Sequence, residues 1–141
     1  MISLQEQIAK FLDLKGVGIF EPFDITGDIF IDYIPPQPVE AIGVYMTIVN
    51  EPNFAHEEQA VTIQCLVRSE DKHTALNKGS RIIKLLNGFN DGQFVVNGHH
   101  IIDTQATSGL PVYLGTDDNG NFEYSISLNI DYVKEDITYG Y

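Results

Sequence analysis

Cysteine is nearly missing from this chain of 141 residues, and positive charge is scarce. The single Cys65 excludes an internal disulfide. Eight Lys and Arg stand against twenty Asp and Glu, giving a formal net charge of −12. Affinity for nucleic acid comes mostly from cations that displace phosphate counterions, so direct binding of DNA or RNA is not expected. No basic cluster stands out against that average. Long apolar runs are missing too: none approaches the roughly 20 residues that a bilayer-spanning helix needs, and no membrane partner is expected. The opening segment MISLQEQIAKFLDLKG lacks the cationic start, apolar stretch and small-residue cleavage site of a secretory signal. Synthesis and folding in the cytoplasm follow as the expectation.

What is present reads as one packed domain. Apolar residues make up 43% and aromatics 11%, enough to build a core. Ser3 and Glu6 form a capping box ahead of Leu4, Ile8, Phe11 and Leu12, which predicts a helix over about 3–14 that stops at Gly16. Pro22, Pro35, Pro36 and Pro38 punctuate an irregular but ordered crossover over 16–41, with a short strand within 28–33. Two β-branched strands, 42–49 and 60–68, flank a long acidic hairpin that carries Glu57 and Glu58. A second helix is expected over 71–87, capped by Ser69 or Asp71 and ended by Gly88. Gly79 lies within its apolar stripe of Ala75, Leu76, Ile82, Ile83 and Leu86, which predicts close approach to a sheet. A hairpin turning at Asn97-Gly98 follows, then a strand over 110–114 and a turn over 115–120. Along 122–132, Phe122, Tyr124, Ile126, Leu128, Ile130 and Tyr132 alternate with Glu123, Ser125, Ser127, Asn129 and Asp131. That is a strand buried on one face only. The fold class is therefore α+β, a largely antiparallel β-sheet packed by two α-helices, spanning 1–134. A flexible tail is expected over 135–141.

The search for chemistry finds no enzyme and no cofactor or metal site. His99 and His100 are neighbours on a strand and point to opposite faces, so with Asp103, or with His56, they make a poor metal site. Cys65 reads as a small buried hydrophobe because no histidine stands near it as a base. Asp117-Asp118-Asn119-Gly120 lacks the ligand ladder of a calcium loop, and Gly16-Val17-Gly18 lacks the glycine and lysine of a phosphate loop. Arg68 closes a strand on its polar face. It reads either as a solvent-exposed strand end or as one half of an inter-subunit ion pair.

The segment Gln64-Cys65-Leu66-Val67-Arg68-Ser69, with Ala75 and the run Ile82-Ile83-Lys84-Leu85-Leu86-Asn87-Gly88, resembles the tail-terminator family of long-tailed bacteriophages, also described as minor capsid or tail-completion proteins. The stretch from Leu114 to Ser125 is similar to the family's Leu-Gly-x-Asp-x-x-Gly-x-x-Glu-Tyr pattern, with Asn121 where many relatives carry Arg. The resemblance is strongest over about 60–133. It implies a virion structural protein at the head–tail junction, a self-assembled ring, usually a hexamer, that caps the tail tube and ends its polymerisation. Its partners would be the tail-tube protein and a head-completion or connector protein, with DNA passing through an acidic lumen unbound. Arg68, Glu57, Glu58, Asp117, Asp118 and Glu123 are the subunit-interface candidates. Competing readings are a head-completion or neck protein of the same virion and, from another class, a small-ligand-binding module or a minor hydrolase using His99, His100 or Asp103.

Overall fold

The computed structural model describes residues 3–21, 26–49, 58–88 and 99–134. Helix α1 (Leu4–Leu14) starts as its cap predicts, with the Ser3 hydroxyl accepting from the backbone N–H of Glu6 at 3.1 Å. It ends at Gly16, whose φ of +76° suits a residue without Cβ, and the amides of Gly16 and Val17 donate back to the carbonyls of Asp13 and Leu12. Leu4, Ile8, Phe11 and Leu12 are all buried. Gln5 and Gln7 are buried too, so α1 sinks deeper than its apolar stripe requires. Gln5 explains part of that depth. Its amide donates to Asp32 Oδ1 at 2.6 Å and to the Val44 carbonyl at 3.2 Å, tying the helix to the strands below.

The crossover is ordered where it is described. Asp28 Oδ1 accepts from the Ile19 amide at 2.6 Å, and the Ile19 carbonyl takes the amides of Asp28 and Ile29. This closes a local loop that delivers strand β1 (Ile29–Ile31). Strands β2 (Ala41–Val49) and β3 (Glu58–Ser69) follow. Helix α2 (Lys72–Leu86) comes next, and its cap is Asp71 rather than Ser69. The Asp71 carboxylate accepts from the Thr74 amide at 3.0 Å and from its hydroxyl at 2.8 Å. Then come β4 (His99–Ala106), β5 (Val112–Thr116) and β6 (Phe122–Lys134).

The sheet runs β1-β2-β3-β6-β4, with β5 pairing β6 beside β4. Every ladder is antiparallel except β1 against β2. Both helices cover one face, α1 over β1 and β2, α2 mainly over β3 and β6. Their stripes merge with the inward side chains of β2, β3 and β6 into one apolar cluster. The α+β sandwich expected from the element order is the one observed.

Strand β5 begins two residues later than the 110–114 reading and extends to Thr116. Leu110 is held in a turn by the Ser108 hydroxyl, which donates to its carbonyl at 2.7 Å. Pro111 is instead buried beneath α2. Gly115, read as a turn residue, lies in the strand at a register irregularity against β6. The acidic loop over 50–57, the Asn97-Gly98 hairpin and the 135–141 tail fall outside the described residues.

Gly79 marks the closest approach between layers. A Cβ built there would stand 2.8 Å from Pro111 Cγ and 3.1 Å from Ile126 Cδ1. Gly79→Ala should therefore cost about 1 kcal/mol net in urea unfolding, because overpacking outweighs the ~1 kcal/mol that alanine gains in a helix interior. An equal or higher unfolding midpoint would show that Pro111 yields freely.

Candidate functional site

Arg68 lies on the sheet face opposite the helices, between Ala41 of β2 and Glu123 of β6 in the ladder. It is only 5% exposed, which overturns the reading as a solvent-exposed strand end. Its Nε donates to the Val39 carbonyl at 3.0 Å, and Nη2 donates to the carbonyls of Pro38, at 2.7 Å, and Pro35. The proline-rich segment cannot supply enough backbone N–H groups to fold on itself. Its carbonyls instead converge on a cation whose planar fork serves several acceptors at once. Nearby, Glu40 Oε2 accepts from the Glu70 amide at 2.9 Å, fastening the same segment to the β3–α2 junction.

Asp117 stands at the adjoining corner. Its Oδ1 accepts from the amides of Asn119 and Asn121, both at 2.9 Å, and Oδ2 accepts from the Asn121 side chain at 3.1 Å. These bonds, those from Asn121 foremost, hold its carboxyl below the ordinary aspartate value. Asn121 is buried and completes this turn. Asp118 is exposed at the tip. Glu123 moves the other way: burial, with Asp117 adding to it, raises its pKa, and Arg68 opposes the rise. Tyr45 beside them is raised by burial first, then by Glu123 and Asp32.

Arg68, Asp117, Asp118 and Glu123 are therefore brought to one corner, where β3 ends and β6 begins. Glu58 opens β3 at its other end, about 33 Å away by strand rise. Glu57 falls outside the described residues. Along the outer face between these ends, Thr62 donates to Asn129 Oδ1 at 2.9 Å and Gln64 to Ser125 Oγ at 2.7 Å. This face is a hydrogen-bonded polar ladder. Cys65 faces the core at 0% exposure, and burial pushes its thiol up to about 12, leaving it protonated at neutral pH. Among the described residues, no three His, Cys, Asp or Glu side chains gather in a way that would hold a metal ion.

Two features escaped the sequence reading. The first is a basic cluster, which corrects the expectation that none exists. Helix α2 carries Lys72, Lys78, Arg81 and Lys84, four of the eight cations in the chain, and no carboxylate. Residues 78, 81 and 84 recur at helical spacing, a signal that a whole-chain average hides. The second is the exposed apolar edge at β5. Leu110, Val112, Tyr113 and Leu114 are 69, 53, 44 and 52% exposed. Lys72 Nζ lies 4.6 Å from the Tyr113 ring centroid, a cation–π contact that joins the two features.

An assembly surface is the class of site these features define: exposed strand edges, a polar sheet face and segregated charge. The comparison with known families agrees. A model of the bacteriophage tail terminator protein family matches residues 12–134, and the chain belongs to that family. A search of curated proteins returned no match. A virion tail component, structural in kind, is what the membership establishes.

Two outcomes follow. Arg68→Ala should lower stability by about 2 kcal/mol, since it strands three partly buried carbonyls, and Arg68→Lys should recover only part of the loss. Chemical denaturation measures both, and a change under 1 kcal/mol for alanine would remove the clamp. The second outcome is acid sensitivity. Asp71 and Asp117 both sit below the ordinary aspartate value. The folded state thus binds fewer protons, and their contribution is complete above the unfolded pKa. It fades as pH falls below about 4 through the folded-state values. Asp117→Asn should flatten that acid limb in thermal scans, and an unchanged pH profile would contradict the assignment.

Proposed function

We propose that this protein caps the phage tail tube as a ring of identical copies, ends tube polymerisation and provides the surface to which the head attaches. The observation that carries the reading is the match to the tail terminator family over residues 12–134. The fold supports it physically. β1 lies at one end of the sheet order, while β4 and β5 border the other, so the described sheet has two free flanks through which neighbours can meet. The net charge of −12 suits a lumen that must let DNA pass without holding it. On this reading the ring is a hexamer at the head–tail junction. Its partners are the tail-tube protein below and a head-completion or connector protein above.

The corner of Asp117, Asp118 and Glu123 and the acidic residues Glu57 and Glu58 are proposed contact points toward neighbours. Arg68 shapes that corner by holding the 35–39 backbone in place.

Electron microscopy of phage particles produced without this protein tests the reading. Abnormally long tubes without heads are the expected result. Tubes of uniform, normal length would overturn the terminator role, whatever the state of the heads.

A further inference from the structure

The segregation of charge on α2 has a consequence for symmetry. Arg81 is the inner member of the basic face: its guanidinium donates to the carbonyls of Lys15 and Gly16, where α1 ends. Lys84 is exposed and Lys78 half-buried beside it, and neither has a partner among the described residues. Two shallow grooves flank this row and share Asn77 and Arg81, and the exposed Leu110 borders the one next to Lys84. Two such faces repel each other. A symmetric two-fold contact through α2, which would set each face on itself, is disfavoured.

The structure also holds a surface of opposite character. Near the start of α1, a cleft of about 220 Å³ is lined by Phe20, Phe30 and Tyr33, with Glu6 and Glu21 at its rim. Glu6 lies in the first turn of α1, whereas Lys15 and Arg81 meet at its last. The separation along the helix axis is about 14 Å, and the cationic row continues away along α2. The cleft and the basic face thus occupy different parts of one molecule. One is an apolar hollow edged by carboxylates, and the other is an apolar knob, Leu110, edged by cations.

We propose that these two surfaces form the joint between successive copies of this chain, with the α2 face of one copy seated against the Glu6–Glu21 cleft of the next. The inference rests on the ring reading above and names its contact. Charge complementarity selects the occupant. A chain of net charge −12 with half its cations on one helix has only four cations outside it, so another copy is a natural partner for α2. DNA fits less well, since the whole chain repels phosphate and Leu110 has no counterpart on a phosphate backbone. That the joined surfaces differ fits a head-to-tail contact, the kind that generates a closed ring or an open helix.

Sedimentation of the full chain at about 0.01 M ionic strength, where charges act over about 30 Å, tests this with two single variants. Lys84→Glu sets carboxylates against carboxylates at the joint, and Glu21→Lys sets cations against cations. Each alone should weaken self-association roughly tenfold or more relative to the native chain. An equimolar mixture of the two should recover it, because every contact between unlike copies is again of opposite sign. Misfolding cannot produce that recovery. Zero-length carbodiimide crosslinking of isotopically light and heavy native copies should join Lys84 or Lys78 of one copy to Glu21 or Glu6 of another, and about 1 M salt should abolish it. Variants that assemble like the native chain, a mixture that stays dissociated, a native chain that never self-associates, or crosslinks from α2 only to added DNA or tail-tube protein would each overturn the joint. A tube-capping ring that survives both variants would sink this contact and leave the proposed function standing. Tails of normal length without the protein would sink the function and leave the crosslinks to judge the contact.

Discussion

The thirteen residues of β6 pair with β3 along one flank and with β4 and β5 along the other, so backbone registers on both sides fix every inward side chain of the strand. A strand held this way cannot slip by one residue without turning Tyr124, Ile126, Leu128, Ile130 and Tyr132 out of the core. The same constraint sets the outer face. Glu123 is held opposite Arg68, and Asn129 opposite Thr62, whatever the solvent-side chemistry prefers. The half-buried Glu123 accordingly rises in pKa instead of relaxing away from Asp117. Helix α2 rests on this strand through Gly79, so the position of the basic face also descends from β6.

Arg68 shows how one buried cation can organise a segment that lacks its own secondary structure. The stretch from Pro35 to Val39 offers carbonyl acceptors and few donors, and a guanidinium offers donors without acceptors. Their complementarity turns an awkward loop into a fixed wall at the end of β2 and β3. Ala41, almost fully buried where β2 opens, comes two residues after this stretch. A lysine would bring a point charge to the same place but could not reach three divergent carbonyls in fixed geometry.

How much of this was legible in the sequence depends on whether the causes were local. The α1 cap, its Gly16 stop, the alternation of β6 and the close approach at Gly79 each rest on neighbours within a few residues or on a strict period, and all were readable. The clamp around Arg68 was not, because its partners are backbone carbonyls some thirty residues distant and carry no side-chain signature. Gln5 escaped for a similar reason. A glutamine on a helix reads as solvated until the Asp32 carboxylate and the Val44 carbonyl come within reach. The start of β5 moved because Pro111, read as the second residue of a strand, is drawn beneath α2 instead. The basic helix was in view all along. Averaging charge over the chain hid it.

The charges on α1 act at two levels. Glu6 in its first turn and the Arg81 guanidinium at its last carbonyls both oppose the helix macrodipole, which stabilises α1 within the chain. The same pair gives that side of the molecule a sign difference between its ends, with carboxylates and the apolar cleft at one and cations at the other. A molecule polarised in this way favours approaches that set its cationic end against the carboxylate end of its own copy, parallel side-by-side contacts being opposed by like charges at both ends. In the proposed joint, folding and assembly therefore draw on the same surface but on different side chains. Arg81 belongs chiefly to folding, since its donors already serve α1, whereas Lys84 stands clear of such bonds and is free to act between molecules. In the proposed joint, that division makes the outer end of the basic row, rather than its centre, the place where a change of sign would separate assembly from stability.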